Sequence, residues 1–401
     1  REEPIFASFL GDRRYNRAWG DGSLAGLAAS HEKDEAALAA LDAISVESLS
    51  EADRVHLAIA KRSFRDRVRE FDLGWHLQPV SHRGGVQTLN TLAQRMRFES
   101  AQDYADWLAR LKKIDRVVEQ TIEVMNAGME RGIVRPRVIM ERVPRQVALQ
   151  VVTDPEQSPF WKTFEQIPER IAERDALQSE ARDVIENVVI PAYRRFNTYL
   201  TRTYMPACRD TVGASALPDG TAWYDHAVAR FTTTTLSADE IHQIGLDEVA
   251  RIRGEMLDVM KEVNFRGDFE SFKTFLRTDP QFFYETPEAL LEGYLAMSKR
   301  LDPELVKLFG KLPRTPYGVK AIPDAIAPDT TTAYYSPPAA DGSTPGYFWV
   351  NLYDVKSRPK WEMAALSVHE AVPGHHLQIA LAMELEDVPE FRKHYWVTAF
   401  G

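Results

Sequence analysis

Along most of this chain, apolar residues recur at the three-to-four-residue spacing of amphipathic helices rather than the alternation of strands. Between 101 and 127, Tyr104, Leu108, Leu111, Val118, Ile122 and Met125 keep to one face, with Lys112, Lys113, Asp115 and Arg116 among the polar positions. The pattern predicts a single helix with that face buried. Ser237 followed by Glu240 is a capping box, in which the hydroxyl accepts from the N3 amide while the carboxylate reaches back. Ile241, Val249, Ile252, Met256 and Val259 then define the face this helix is expected to bury. Thr286-Pro287 marks another start, since proline at the first helical position gives up a hydrogen bond the helix does not need. Segments 47–70 and 165–204 continue the pattern, and Pro191 is expected to kink or divide the latter.

The texture changes after residue 310. Pro313, Pro316, Pro323, Pro328, Pro337, Pro338 and Pro345 forbid a long helix, and Asp341-Gly342 signals a turn. Tyr347 to Tyr353 is a run of strong strand formers between Gly346 and Asp354, read as a strand of a small sheet. Alternation would send Phe348 and Val350 to one face and Tyr347, Trp349 and Asn351 to the other. A helix from about Pro359 follows, with Trp361, Ala365 and Val368 expected on its buried side. The fold class expected is mainly α: a helical body over 1–310 whose long helices wall a cleft, then 311–401 with loops, an edge strand and one further helix.

Composition narrows the function. Among 401 residues, 49 Lys and Arg against 59 Asp and Glu give a net charge of -10, the opposite of a nucleic-acid-binding footprint. No apolar run approaches the ~18 residues that would span a bilayer, so a soluble chain is expected. Cys208 is the only cysteine, which excludes an intrachain disulfide and a cysteine-based zinc site. It has no histidine near it in sequence, and there is neither a Gly-x-Ser-x-Gly elbow nor a glycine-rich phosphate loop. The first residue is Arg1 rather than Met, so an upstream segment is expected to be missing and localisation is not read from this end.

Three of the ten histidines fall within His369-Glu370-Ala371-Val372-Pro373-Gly374-His375-His376. Zinc peptidases place two histidines at i and i+4 of one helix, so that both imidazoles meet one metal, with a glutamate at i+1 to activate the metal-bound water. Here i+4 is Pro373, and in an unbroken helix His369 and His376 would stand ~10 Å apart along the axis, too far to share a metal. Pro373 removes an N–H that would bond to His369, and Gly374 tolerates unusual backbone angles, so a bulge can absorb the surplus. Absorbing two residues makes His375 the second ligand; absorbing three makes it His376. His375 is preferred as the smaller distortion, with His376 directed to the substrate side or to a carboxylate just outside the metal's ligands. The alternative is a helix end followed by two solvated histidines. Tyr347 and Asn351 are candidates to touch substrate, whereas Tyr334, Tyr335, His226 and His242 are read as structural.

The run His369 to Gln378, preceded by Asp341-Gly342-Ser343, Pro345 to Phe348 and Asn351, resembles the bacterial domain-of-unknown-function 885 family, and Phe9 to Tyr15 agrees. The family resembles gluzincins, which are helical zinc peptidases. The resemblance implies zinc held by His369 and one of the following histidine pair, Glu370 as general base, and a short peptide as substrate. In gluzincins an edge strand ahead of the metal helix pairs with the peptide, a role that would fall to 347–353. A third ligand is expected from a glutamate in a later Glu-Gly-Trp segment, after a stretch like Thr398 to Gly401. The chain stops there, so it is expected to be truncated and to hold zinc weakly; Glu384, Glu386 and Glu390 are read as a solvated helix end. The expected activity is zinc-dependent peptide hydrolysis, and the alternative is a non-catalytic peptidase-like shell that binds peptides or a partner.

Overall fold

The computed structural model describes residues 4–9, 11–324, 326–339, 342 and 344–393. The chain divides into two compact units, Arg1–His226 and Ala227–Gly401. That division lies upstream of the change of texture at 310.

In the first unit, α1 (Pro4–Phe9), α2 (Leu24–Asp42) and α3 (Glu51–Asp72) precede α4 (Ala101–Leu111) and α5 (Ile114–Glu130). The single helix expected over 101–127 is therefore two. The chain tightens at Lys112 and Lys113, with Lys113 N–H donating to the Arg110 carbonyl, and this re-aims the apolar face so that Leu111 and Ile114 are both fully buried. Tyr104, Trp107, Leu108, Val118 and Met125 join them in one core with Phe160, Tyr193 and Phe196. The helix expected from 165 begins only at Arg174, beyond Pro168. It runs as α6 (Arg174–Val184), a π-turn Ile185–Val189, and α7 (Ile190–Tyr199). The wide turn just ahead of Pro191 accommodates a ring that cannot donate and crowds the preceding turn. A second π-turn, Leu200–Tyr204, precedes Pro206 in the same way.

Arg110 of α4 is fully buried and has no carboxylate in direct contact among its hydrogen-bond partners. Its guanidinium donates to the carbonyls of Pro4, Tyr15 and Ala18 and to Ser8 Oγ, and it lies 5.1 Å from the Trp19 ring. Burial lowers its pKa to about 10, with Asp106 opposing. One side chain thus ties the N-terminal segment to the core. Arg110→Met strands those acceptors and should cost about 3 kcal/mol. Urea unfolding measures it; an unchanged midpoint would mean that the segment is held by other contacts.

In the second unit, α8 (Ala238–Glu262) starts at the predicted capping box: Glu240 N–H donates to Ser237 Oγ at 3.3 Å and Ser237 N–H to Glu240 Oε2 at 2.8 Å. Its apolar face is not buried, contrary to expectation. Val249 is 66% exposed and Ile252, Met256 and Val259 are 41–48% exposed. Periodicity identifies residues that share a face but not whether anything packs on it. The predicted start at Thr286 holds, with its hydroxyl accepting from Ala289 N–H and opening α9 (Pro287–Leu301).

Three strands follow: β1 (Tyr317–Ala321), β2 (Ala333–Ser336) and β3 (Gly346–Val350), in the order β1-β3-β2. The strand read at 347–353 is thus central rather than an edge, parallel to β1 and antiparallel to β2, and it ends at Val350. Its alternation is as expected, with Phe348 and Val350 buried and Tyr347 and Trp349 half-buried. Phe348 and Val350 pack with Leu290, Tyr294, Ala333, Met363 and Ala371. Lys320, Trp349 and Tyr334 stand side by side in register across the three strands. Asp341 and Ser343 of the turn region lie outside the described residues.

The next helix, α10, is Met363–Glu370, and it packs against α9 and β2. Its buried side carries Met363, Ser367 and Glu370; Trp361, Ala365 and Val368, expected there, are exposed. The small or polar Ser367 and Glu370 mask this side from a hydrophobicity count. Among the described residues, no helix is long and apolar enough to cross a membrane.

Candidate metal centre

The helix does not bulge through the motif; it stops and restarts. α10 ends at Glu370, Ala371 leaves helical geometry at φ -102° and ψ -100°, the Val372-Pro373 bond is cis, and α11 (His375–Met383) begins immediately after Gly374. The turn is closed by Gly374 N–H donating to the Val368 carbonyl at 2.9 Å and His376 N–H to the Ala371 carbonyl at 3.0 Å. Gly374 is needed for close approach: a Cβ there would lie 1.9 Å from the His369 carbonyl oxygen. Pro373 has no N–H to offer that carbonyl, so the chain folds over it.

This break brings His369 and His375 together, with ring centroids 4.7 Å apart and planes at 80°. Ligand atoms of His369, Glu370 and His375 all lie within 4.8 Å of one another, a spacing that small side-chain rotations can close around one cation. Glu370 is 6% exposed, and its buried Oε2, 3.9 Å from His375 Nε2, has no hydrogen-bond partner. His375 is half-buried and His369 exposed, so the group is closed on the glutamate side and open on the other. Burial raises the Glu370 pKa, with His369 opposing. Burial, then His369, lowers that of His375. A buried acceptor without a donor, beside two imidazoles, is a set of groups whose chemistry suits a zinc or similar divalent cation. No other group of three or more His, Cys, Asp or Glu with this geometry occurs among the described residues.

His376 is elsewhere. It is buried, with Nδ1 2.9 Å from the Tyr335 hydroxyl and Nε2 3.0 Å from the Thr315 carbonyl oxygen, so of the two expected directions, substrate or a carboxylate, the carboxylate is not among its hydrogen-bond partners. Burial lowers its pKa, and the Thr315 carbonyl opposes. Asn351 is also buried and is committed to the loops: its amide donates to the Ala327 and Thr331 carbonyls and accepts from Tyr353 N–H. Tyr347 lies on the sheet face opposite Phe348, with the Lys320 ammonium 3.7 Å from its ring centre. Neither residue is brought to the His-Glu-His group. Glu384 caps the end of α11 and accepts from Arg314 N–H at 2.7 Å, whereas Thr398 to Gly401 lie outside the described residues.

Tyr335, read from the sequence as structural, lies beside the group, its ring centroid 6.1 Å from that of His375. It is adjacent to Tyr334, which stacks on Trp349 on the other face, and only the β2–β3 register, Tyr335 opposite Phe348, separates the two. His226 has a carboxylate that spacing did not reveal, Glu70 of α3 at 3.9 Å. His242 is exposed on α8. Cys208 is buried with its pKa raised to about 11 by burial, consistent with an inert thiol.

A mainly helical chain with a small mixed sheet, carrying a His-Glu-His group at a break between two helices, is the class of protein defined here. The chain belongs to the family described as bacterial protein of unknown function (DUF885), which matches residues 4–401. Its fold is that of a candidate lipoprotein from Colwellia psychrerythraea, with a TM-score of 0.91 at 23% identity over 100% of this chain and 72% of that one. A candidate lipoprotein of unknown function from Shewanella oneidensis is similar at a TM-score of 0.60 and 15% identity, over 99% of this chain and 71% of the other. No curated protein matches the sequence.

Proposed function

We propose that this protein is a gluzincin-like zinc peptidase that hydrolyses short peptides, with His369 and His375 as metal ligands and Glu370 as the general base. The observation that carries the proposal is the convergence of the three side chains within 4.8 Å, with one Glu370 oxygen buried and without a partner. Zinc held there would polarise the scissile carbonyl and acidify water. Glu370 takes a proton from the attacking water and returns it to the leaving amine, from a position 3.9 Å from His375. Both main-chain edges of β3 are occupied, so β2, an edge strand that packs against α10, is the strand offered to an extended peptide.

A second reading, a peptidase-like shell that captures peptides or a partner without metal, is favoured by the presence of only two histidines in the group. Elemental analysis and peptide hydrolysis of the naturally encoded protein separate the two. The peptidase should carry about one zinc per chain, lose hydrolysis of short peptides to a chelator and regain it with zinc. Peptide binding without zinc and without turnover would establish the shell instead.

A further inference from the structure

We propose that Tyr335 is a positioning residue for His375, and that His376 serves the centre by holding Tyr335. The proposal rests on the metal-site reading above for its purpose and on separate geometry for its substance. His376 Nε2 faces the Thr315 carbonyl oxygen at 3.0 Å, and a carbonyl only accepts, so that nitrogen carries the hydrogen. In the neutral imidazole the other nitrogen is then an acceptor. The Tyr335 hydroxyl, 2.9 Å from Nδ1, is therefore the donor, and the tautomer follows from the two partners.

The ring so fixed lies beside His375, nearly parallel at 16° with centroids 6.1 Å apart. His375 follows directly on the turn at Gly374, so the backbone places its Cα while Tyr335 restricts where its imidazole can swing. A ligand whose ring is already oriented loses less side-chain freedom on binding a cation, the usual role of groups just outside a metal's ligands. Gly346 completes the arrangement. A Cβ there would lie 2.3 Å from the Tyr335 hydroxyl oxygen and 2.9 Å from His376 Nδ1, so the hydrogen bond occupies space that any side chain would fill. Two adjacent histidines thus divide the work, His375 facing His369 and His376 facing away through a tyrosine to steady its neighbour.

The test is zinc titration of the metal-depleted protein by calorimetry, with histidine side-chain nitrogen NMR on the metal-free form. Tyr335→Phe keeps the ring but removes the donor. It should weaken zinc about tenfold, shift the His376 Nδ1 resonance and lower the melting temperature of the metal-free protein only by the modest amount that one lost buried hydrogen bond costs. Tyr335→Leu should weaken zinc further. The nitrogen shift and the split between affinity and melting temperature distinguish positioning from mere packing. If the parent binds zinc, His369→Ala abolishes binding and Tyr335→Phe binds like the parent, the positioning role is overturned while the metal reading stands. If the parent itself binds no zinc, the metal reading falls and this proposal with it.

Discussion

Glu370→Gln should lower peptide hydrolysis on the order of 1,000-fold while zinc affinity stays within about threefold of the parent. The substitution preserves shape and removes the one property the mechanism needs, a carboxylate that can take a proton. Glu370 ends α10 and is 6% exposed, and its Oε2, with no hydrogen-bond partner, is within reach of both histidine rings. Burying that carboxylate without a donor is unfavourable, and the same burial raises its pKa. The neutral amide should therefore leave the metal-free protein as stable as before or slightly more so. Parallel calorimetry and peptide assays check both halves of the prediction. A variant that still hydrolyses peptides would remove Glu370 from the reaction. A variant that loses zinc more than tenfold would make Glu370 a ligand rather than a base.

The convergence of His369, Glu370 and His375 was legible in sequence because the three lie within eight residues, and because a proline and a glycine between histidines carry their own structural meaning. Pro373 cannot continue the helix and Gly374 has no Cβ, so the residues themselves mark where the surplus spacing between His369 and His375 is absorbed. What spacing could not supply was the form of the distortion. A bulge and a break both bring His375 back to His369, and the non-helical dihedrals of Ala371 with the restart of the helix at His375 distinguish them.

Features that depend on distant partners were not legible. The run at 347–353 has the residues of a strand whether central or at an edge, and its place is set by β1 and β2, two segments with weak patterns of their own. The helix at 238–262 was found with its cap, yet its apolar stripe faces outward, since exposure depends on neighbours that periodicity does not describe. Tyr335 was hidden for the same reason. In a Tyr-Tyr pair one ring points to each face of the sheet, and the register with Phe348 decides which of them reaches His376.

Gly374→Ala should abolish tight zinc binding and destabilise the protein by about 4 kcal/mol or more, well beyond ordinary substitutions. The φ at Gly374 is -75°, so handedness is not at issue; space is. An added Cβ would lie 1.9 Å from the His369 carbonyl oxygen, 2.4 Å from that of Val368 and 2.5 Å from the His369 carbonyl carbon. All three are backbone atoms at the end of α10, so no side chain can swing aside, and relief requires the turn to lift by more than an ångström. Because His375 is the next residue, the same movement carries it away from His369 and opens the group. Gly245→Ala is the control, since nothing lies within 4 Å of its Cβ position on α8, and it should be neutral or stabilising by up to about 1 kcal/mol. Urea midpoints and zinc titrations of both variants give the comparison. A Gly374→Ala protein with parental zinc affinity would mean that His375 is not held by this turn, and the break between α10 and α11 would then lose its role in building the centre.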